Sequence, residues 1–263
     1  PDLLGTYGDS GHGRILAARA AWRGLDVEMV MAAADAPLPR SGDLYCIGGG
    51  EDGPQVQAAE RLADGALNAA VESGATVLAV CAGYQIVGRS FPGSDGRPHA
   101  GLGLLDLSTV KGTGRRCVGE VLAAPEPLDD MAEVAGGAAL APLTGFENHG
   151  GVTVLGPAAR PLARVRRGEG NGGGSGTDGG RAGRVLGTYL HGPVLARNPT
   201  LADLLLTLAT GTALAPLDDA EETALHDERL RAAAGPVPAG GVGGRLSSLV
   251  RLRAGARGAA GRR

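Results

Sequence analysis

Thr76-Val77-Leu78-Ala79-Val80-Cys81-Ala82-Gly83-Tyr84-Gln85 reads as a buried strand that turns abruptly into a helix. Five apolar or β-branched residues run without a break into a cysteine, then a small residue, a glycine and the start of a helical pattern. A side chain at such a corner projects away from the core, and the helix N-terminus behind it favours negative charge. A cysteine placed there has exposure, a field that suits a thiolate, and backbone N–H groups close enough to hold an oxyanion.

Working upstream, residues 5–13 form a glycine-rich loop, and helical spacing follows at Ile15, Leu16, Ala18, Arg19 and Trp22. Val27 to Met31 and Leu44 to Ile47 read as strands, the second running into Gly48-Gly49-Gly50, and residues 55–73 read as one long helix. Strand and helix alternating at this spacing predict an α/β domain, a parallel sheet with helices on both faces. Downstream the rhythm changes. Pro92 to Gly96 is a turn, and Leu104 to Val110 and Cys117 to Leu122 read as shorter strands that could pair as a hairpin. Val152 to Leu155, Ala163 to Arg166 and Val185 to Leu190 are further strands; Asn198 to Ala209 and Asp218 to Ala234 are helical. Residues 168–183 are almost all Gly, Ser, Asn, Thr, Asp and Arg, which predicts a flexible surface insertion between two strands. One domain over residues 1–234 is expected, with a disordered basic tail over 235–263.

The chain has 263 residues, enough for one large α/β domain with a full core. A net charge of −3 argues against a nucleic-acid-binding body. Three widely spaced cysteines with no CxxC pair make a disulfide framework or a zinc site a poor fit, and suit a reducing cytosol. No apolar run approaches membrane-spanning length.

Among the cysteines, Cys46 sits in an apolar strand and reads as a buried small hydrophobe, and Cys117 as structural; only Cys81 stands at a strand-to-helix corner. A thiol attacking an acyl group needs a base. His226 lies in a polar helix and His99 after a turn, so both read as surface residues; His12 sits in the glycine loop. His191 closes the strand Val185–Leu190 and is followed by Gly-Pro. Active-site groups of open α/β sheets gather at the carboxyl ends of strands, so Cys81 and His191 can meet. His149, in Gly145-Phe146-Glu147-Asn148-His149-Gly150-Gly151, is the rival, placed to position a substrate or to close a tight turn. The N–H of Ala82 and those of Gly49 and Gly50 are the candidate oxyanion donors. Neither glycine loop matches GxxxxGK[ST], and nothing in the chain looks able to use ATP.

The cysteine corner, Gly48-Gly49-Gly50-Glu51-Asp52 and Tyr189-Leu190-His191-Gly192-Pro193 together resemble the class I glutamine amidotransferases of the cobyric acid synthase type, and within them the glutaminase subunits of lipid II isoglutaminyl synthases. Supporting segments are Pro1 to Asp9, Gly101 to Asp106 and Gly145 to Gly151, and the resemblance runs to about residue 235 outside the glycine-rich stretch. It implies a flavodoxin-like three-layer fold with a mostly parallel central sheet and additional antiparallel strands. It makes Cys81 the nucleophile and His191 the base. Arg116 becomes the residue that holds the glutamine α-carboxylate, with Arg115 the alternative, and Gln85 and His149 join the substrate-binding set. It implies no cofactor and no metal in this chain, with ATP and Mg expected on a MurT-like Mur ligase partner that amidates lipid II. It further implies a cytoplasmic protein, with peripheral contact at the inner membrane face. Family members carry a short strand before the Pro-Asp-Leu-Leu segment, so one is expected upstream of Pro1. A corrinoid acceptor, or a non-catalytic binding subunit of the same fold, are the alternative readings. Where most class I members have a glutamate two residues after the histidine, this chain has Pro193. The ring must then be oriented by a backbone carbonyl, a nearby acid such as Glu147, or a carboxylate of the partner.

Overall fold

The computed structural model describes residues 2–235, except 132–134, 136 and 138. The expected basic tail therefore lies outside the described residues, Gly235 aside.

The fold is built round β2 (Thr76–Val80), every residue of which is buried. It is flanked in parallel by β1 (Leu44–Ile47) and β12 (Val185–Thr188), and β11 (Gly180–Ala182) adds an antiparallel edge to β12. A strand covered on both faces has no reason to alternate polar and apolar residues, which is why Thr76–Val80 reads as a continuous apolar run. The outermost strand β1 does alternate. Tyr45 and Ile47 turn inward; Cys46, read as a buried hydrophobe, keeps solvent-accessible surface, although burial pushes its thiol up to about 12.

Two further four-stranded sheets complete the α/β fold. β6 (Cys117–Pro125) lies between β7 (Leu143–His149) and β9 (Ala163–Arg167), with β10 (Thr177–Asp178) beyond β9, all antiparallel. β5 (Leu107–Lys111) pairs with β3 (Ser90–Pro92) in parallel and with β8 (Gly151–Leu155) antiparallel, and β4 (Pro98–Ala100) borders β3. The expected hairpin of β5 with β6 does not form. The glycine-rich link between them carries the chain from one sheet to another, and Gly112 donates its N–H to Gly150 O (2.8 Å) on the way.

Helix α1 (His12–Ala21) packs on α5 (Pro199–Thr210), which itself packs on β1 and β2. Buried Arg19 fixes this join. Its guanidinium grips Asp203 at 2.7 and 2.8 Å and Asp219 at 2.9 and 2.7 Å, a bidentate geometry that suits a planar cation. The glycine loop ahead of α1 is thereby held at one place above the sheet. The long helix expected over residues 55–73 is two: α2 (Asp52–Leu62) and α3 (Ala66–Glu72). Gly65 between them has φ +80°, and the Asp64 carboxylate caps the Ala66 N–H at 2.8 Å, so an Asp-Gly turn interrupts the periodicity. Val27 to Met31 joins no strand, and Val27, Met29, Val30 and Met31 are exposed. β-Branched composition favours extended backbone, but a strand needs a ladder partner.

Helix α4 (Ala82–Ile86) leaves β2 at the cysteine and packs on β2 and β12. Gly83 allows this. Its N–H donates to Gly48 O at 3.2 Å, and a Cβ there would lie 2.4 Å from Ile47 O. Gly83→Ala is expected to destabilise the chain by about 1–3 kcal/mol, because β1 or the helix must move to admit the methyl group. A urea midpoint unchanged from wild type would refute this.

Candidate active site

At Cys81 the backbone takes φ 52°, ψ −104°, and among the described residues only Tyr7 is another non-glycine with positive φ. Strain of this kind persists where the surroundings over-determine the conformation. Here the Cys81 N–H donates to Thr188 O (2.9 Å), fixing the corner to the end of β12, and Cys81 O accepts from Gln85 N (3.0 Å) to open α4. The thiol is 7% exposed, set at the floor of a cleft of about 240 Å³ and not on an open corner. Gly50, Ala82, Gln85, Arg116 and His149 line the same cleft, so five of the predicted binding residues converge there.

His191 lies three residues past β12. Its backbone exchanges two hydrogen bonds with Phe146 of β7 (2.8 and 3.1 Å), which tie this turn to the second sheet. The ring is fully buried. Nδ1–H donates to Asp9 Oδ2 at 2.8 Å, and Nε2 has no hydrogen-bond partner. Burial opposes charge on the ring, but the bond to Asp9 and the nearness of Cys81 outweigh it and raise His191 to about 9. A raised value favours the charged ring at neutral pH.

Asp9 answers the question left by Pro193. Its carboxylate is buried, and one oxygen, Oδ2, accepts from both His191 and the Gly49 N–H (2.8 Å). Oδ1 lies 3.4 Å from Nε2 of buried His12. Burial alone would raise the carboxyl, yet contact with His12 and His191 holds it below its usual range. Glu147, an expected candidate for this role, is engaged elsewhere. It accepts from the backbone of Glu169 (3.0 and 3.1 Å) and Gly170 (2.8 Å), and burial pushes it up to about 7. The Gly49 N–H, expected to serve as an oxyanion donor, is occupied by Asp9. Glycine is needed there for another reason, since a Cβ would lie 2.6 Å from His191 Cε1.

The remaining site residues find defined places. Arg116 is exposed at the cleft wall, its Nε donating to Asn148 Oδ1 (2.6 Å) and Nη2 to Asn148 O (3.1 Å). Arg115, the alternative, does not line the cleft. Gln85 is bound under the cleft floor between Gln55 (3.0 Å) and Tyr189 (3.2 Å). His149 stacks on Tyr189 at 3.7 Å and donates Nδ1–H to Gly151 O (3.0 Å). Burial lowers it to about 4, which disfavours the imidazolium and makes it a weaker base than His191. His226, read as a surface residue, is buried and donates Nδ1–H to Arg197 O at 2.7 Å.

Residues 168–183 are not a loose surface excursion. Glu147 holds the start, and buried Asn171 bonds Tyr84 OH (3.3 Å) and both backbone groups of Gly179 (2.9 and 3.0 Å). Asp178 accepts from the Thr188 hydroxyl and the Tyr189 N–H (3.3 Å), gripping the turn that carries His191. Glycine-rich composition signals a chain without a core of its own, but here three buried polar side chains supply the anchors. No group of three or more His, Cys, Asp or Glu placed to hold a metal occurs among the described residues, and no described helix is long and apolar enough to cross a membrane.

The contacts of His191 with Asp9 and Cys81 predict a stability that depends on pH. An imidazole whose pKa is raised from 6.5 to about 9 contributes stability that is full below pH 6.5 and lost as pH rises to about 9. The stability difference between wild type and His191→Asn is therefore expected to shrink across that window. Denaturant titrations showing a constant difference from pH 6 to 9.5 would contradict the charged pair.

The chain matches the CobB/CobQ-like glutamine amidotransferase domain over residues 14–199. It is 31% identical over 211 residues to the lipid II isoglutaminyl synthase (glutamine-hydrolyzing) subunit GatD of Streptococcus pneumoniae, covering 79% of this chain and 77% of that one. The same-named subunit of Staphylococcus aureus is 33% identical over 211 residues, covering 79% and 81%. A crystal structure described as a glutamine amidotransferase superposes with a TM-score of 0.51 at 22% identity, over 75% of this chain and 93% of that one, and bears on the fold alone. With the thiol, the imidazolium and the carboxylate gathered at the carboxyl ends of β2 and β12, the chain belongs to the CobB/CobQ-like glutamine amidotransferase family.

Proposed function

We propose that this chain hydrolyses L-glutamine and passes the ammonia to a MurT-like, ATP- and Mg-dependent Mur ligase subunit. That subunit would activate the α-carboxyl of D-glutamate in the lipid II stem peptide and convert it to D-isoglutamine, at the cytoplasmic face of the membrane where lipid II is displayed. The observation that carries the reading is Cys81 in a cleft that Arg116 also lines, with the buried His191–Asp9 pair beside the thiol. Relatives named as glutamine-hydrolysing subunits of that synthase support the choice of acceptor.

The Cys81 thiolate attacks the side-chain amide carbon of glutamine, and the N–H groups of Ala82 and Gly50 face the oxyanion. His191 gives its proton to the departing nitrogen, which leaves as ammonia, and the γ-glutamyl thioester remains on sulfur. Neutral His191 then takes a proton from water, hydroxide adds to the thioester, and glutamate leaves as the thiolate re-forms. Arg116 holds the α-carboxylate. The test is ammonia release from L-glutamine by the purified chain, alone and with a MurT-like subunit, D-glutamine serving as control. Release specific to the L-isomer and raised by the ligase subunit is expected. Absence of release in both mixtures would overturn the reading.

A further inference from the structure

Tyr7 has a role that the array above leaves open. It is the second non-glycine residue of positive φ (55°), it is 45% exposed, and it stands directly against the catalytic base. Its ring meets that of His191 edge-on, with centroids 5.0 Å apart at 61°. Its hydroxyl accepts a 2.6 Å hydrogen bond from Asn148 Nδ2. The orientation of the Asn148 amide follows from chemistry. Arg116 Nε can only donate, so the oxygen of Asn148 faces it at 2.6 Å and the NH2 group must face Tyr7. A second bond, from Arg116 Nη2 to Asn148 O at 3.1 Å, fixes the guanidinium plane. Nη1 makes neither bond and lies over Gly150, a cleft-lining residue. A continuous path therefore runs from the base through a ring contact and two hydrogen bonds to the arginine on the cleft wall. An aromatic residue in left-handed backbone is uncommon, and such strain gathers at sites where position matters.

We propose that Tyr7 and Asn148 are positioning residues that fix the Arg116 guanidinium, and with it the glutamine α-carboxylate, in register with Cys81 and His191. This rests on the reading of Arg116 as the carboxylate site. A long arginine on an exposed wall is otherwise free to swing, and substrate would be held without its amide carbon set over the sulfur. Tyr7 acts on substrate only through Asn148, so the two residues form one unit.

The test uses the full chain and two thiol reagents read by mass spectrometry: 6-diazo-5-oxo-L-norleucine, a diazoketone analogue that carries the α-carboxylate of glutamine, and iodoacetamide, which carries none. Tyr7→Phe is expected to slow labelling of Cys81 by the analogue about fivefold to tenfold, the loss of one hydrogen bond. Asn148→Ala should slow it by about 10- to 100-fold through the freed guanidinium. The double variant should match Asn148→Ala within about twofold, as residues acting in series do. Iodoacetamide rates and melting temperatures should stay close to wild type, which separates positioning from damage to the fold or to the thiol. If Tyr7→Phe does not fold, Asn148→Ala alone carries the same comparison. Additive losses in the double variant, or equal slowing with both reagents, would overturn the proposal. Arg116→Ala labelled by the analogue as fast as wild type would instead overturn the carboxylate reading beneath it. A wild-type chain that the analogue does not label would overturn the glutamine reading and this inference together.

Discussion

Cys81→Ala is expected to reduce glutamine hydrolysis by about 10⁴-fold or more in kcat, the scale on which covalent catalysis collapses when its nucleophile is deleted. The fold should not share in the loss. Alanine keeps the Cβ that already sits at φ 52°, so the strain of the corner is unchanged, and only a sulfur atom at the cleft floor is removed. Glutamine binding should also survive, because Arg116, the proposed carboxylate site, and the backbone donors remain. The variant should therefore bind glutamine with an affinity near that of wild type and turn nothing over, which calorimetry and an ammonia assay can read side by side. The other two thiols cannot substitute. Cys46 is on the outermost strand of the first sheet, and Cys117, at the start of β6, is pushed up by burial and by Glu147 and Glu169, although Arg116 opposes this. Residual turnover of even a few per cent would mean that Cys81 is not the nucleophile.

Cys81 and His191 stand out in the sequence because each leaves a local mark: an apolar run broken by Cys-Ala-Gly, and a strand stopped by His-Gly-Pro. Arg116 came only through the resemblance, since nothing local distinguishes it from Arg115. The groups that the structure places round them left a weaker mark. Asp9 lies 182 positions from His191 and belongs to no strand end. The one hint was a buried-type requirement hidden in Tyr-Gly-Asp-Ser-Gly-His-Gly, where an acid and a histidine share a loop too rich in glycine to be a simple helix entry. Asp178 was harder still, because a run of glycines reads as solvent-exposed chain until the polar side chains that anchor it are seen. Glu147 shows the opposite error. It stands two residues from His149 in a segment that the resemblance marks, yet its two oxygens serve the backbone of residues 169 and 170. Period and composition report what a residue does to its own segment; they carry no record of which distant donor it faces. Val27 to Met31 and residues 55–73 failed for the same reason, since a missing ladder partner and an Asp-Gly break both act beyond the hydrophobic pattern.

Asp9→Asn is the sharpest test of the array, because it changes charge and little else. Oδ2 of Asp9 accepts from both Gly49 and His191, and the other carboxylate oxygen faces His12. Asparagine can keep an oxygen toward the first pair and turn its NH2 toward His12, so the loop should retain its place. What is lost is one of the two influences, Asp9 beside Cys81, that together raise His191. The imidazolium then loses its counter-charge in a fully buried setting, where burial alone favours the neutral ring. Less of the ring is charged at neutral pH, and an amide oxygen holds the Nδ1–H tautomer less firmly than a carboxylate does. A loss of roughly 10²- to 10⁴-fold in kcat is expected, with KM for glutamine altered little because Arg116 and Asn148 are untouched. A merely structural role for Asp9 predicts a different outcome, a lower melting temperature with the pH profile of the surviving enzyme unchanged. The positioning role predicts that the alkaline limb of iodoacetamide alkylation at Cys81 moves to lower pH in Asp9→Asn, by the amount that His191 has fallen. An unchanged limb, whatever the drop in turnover, would remove Asp9 from the catalytic array.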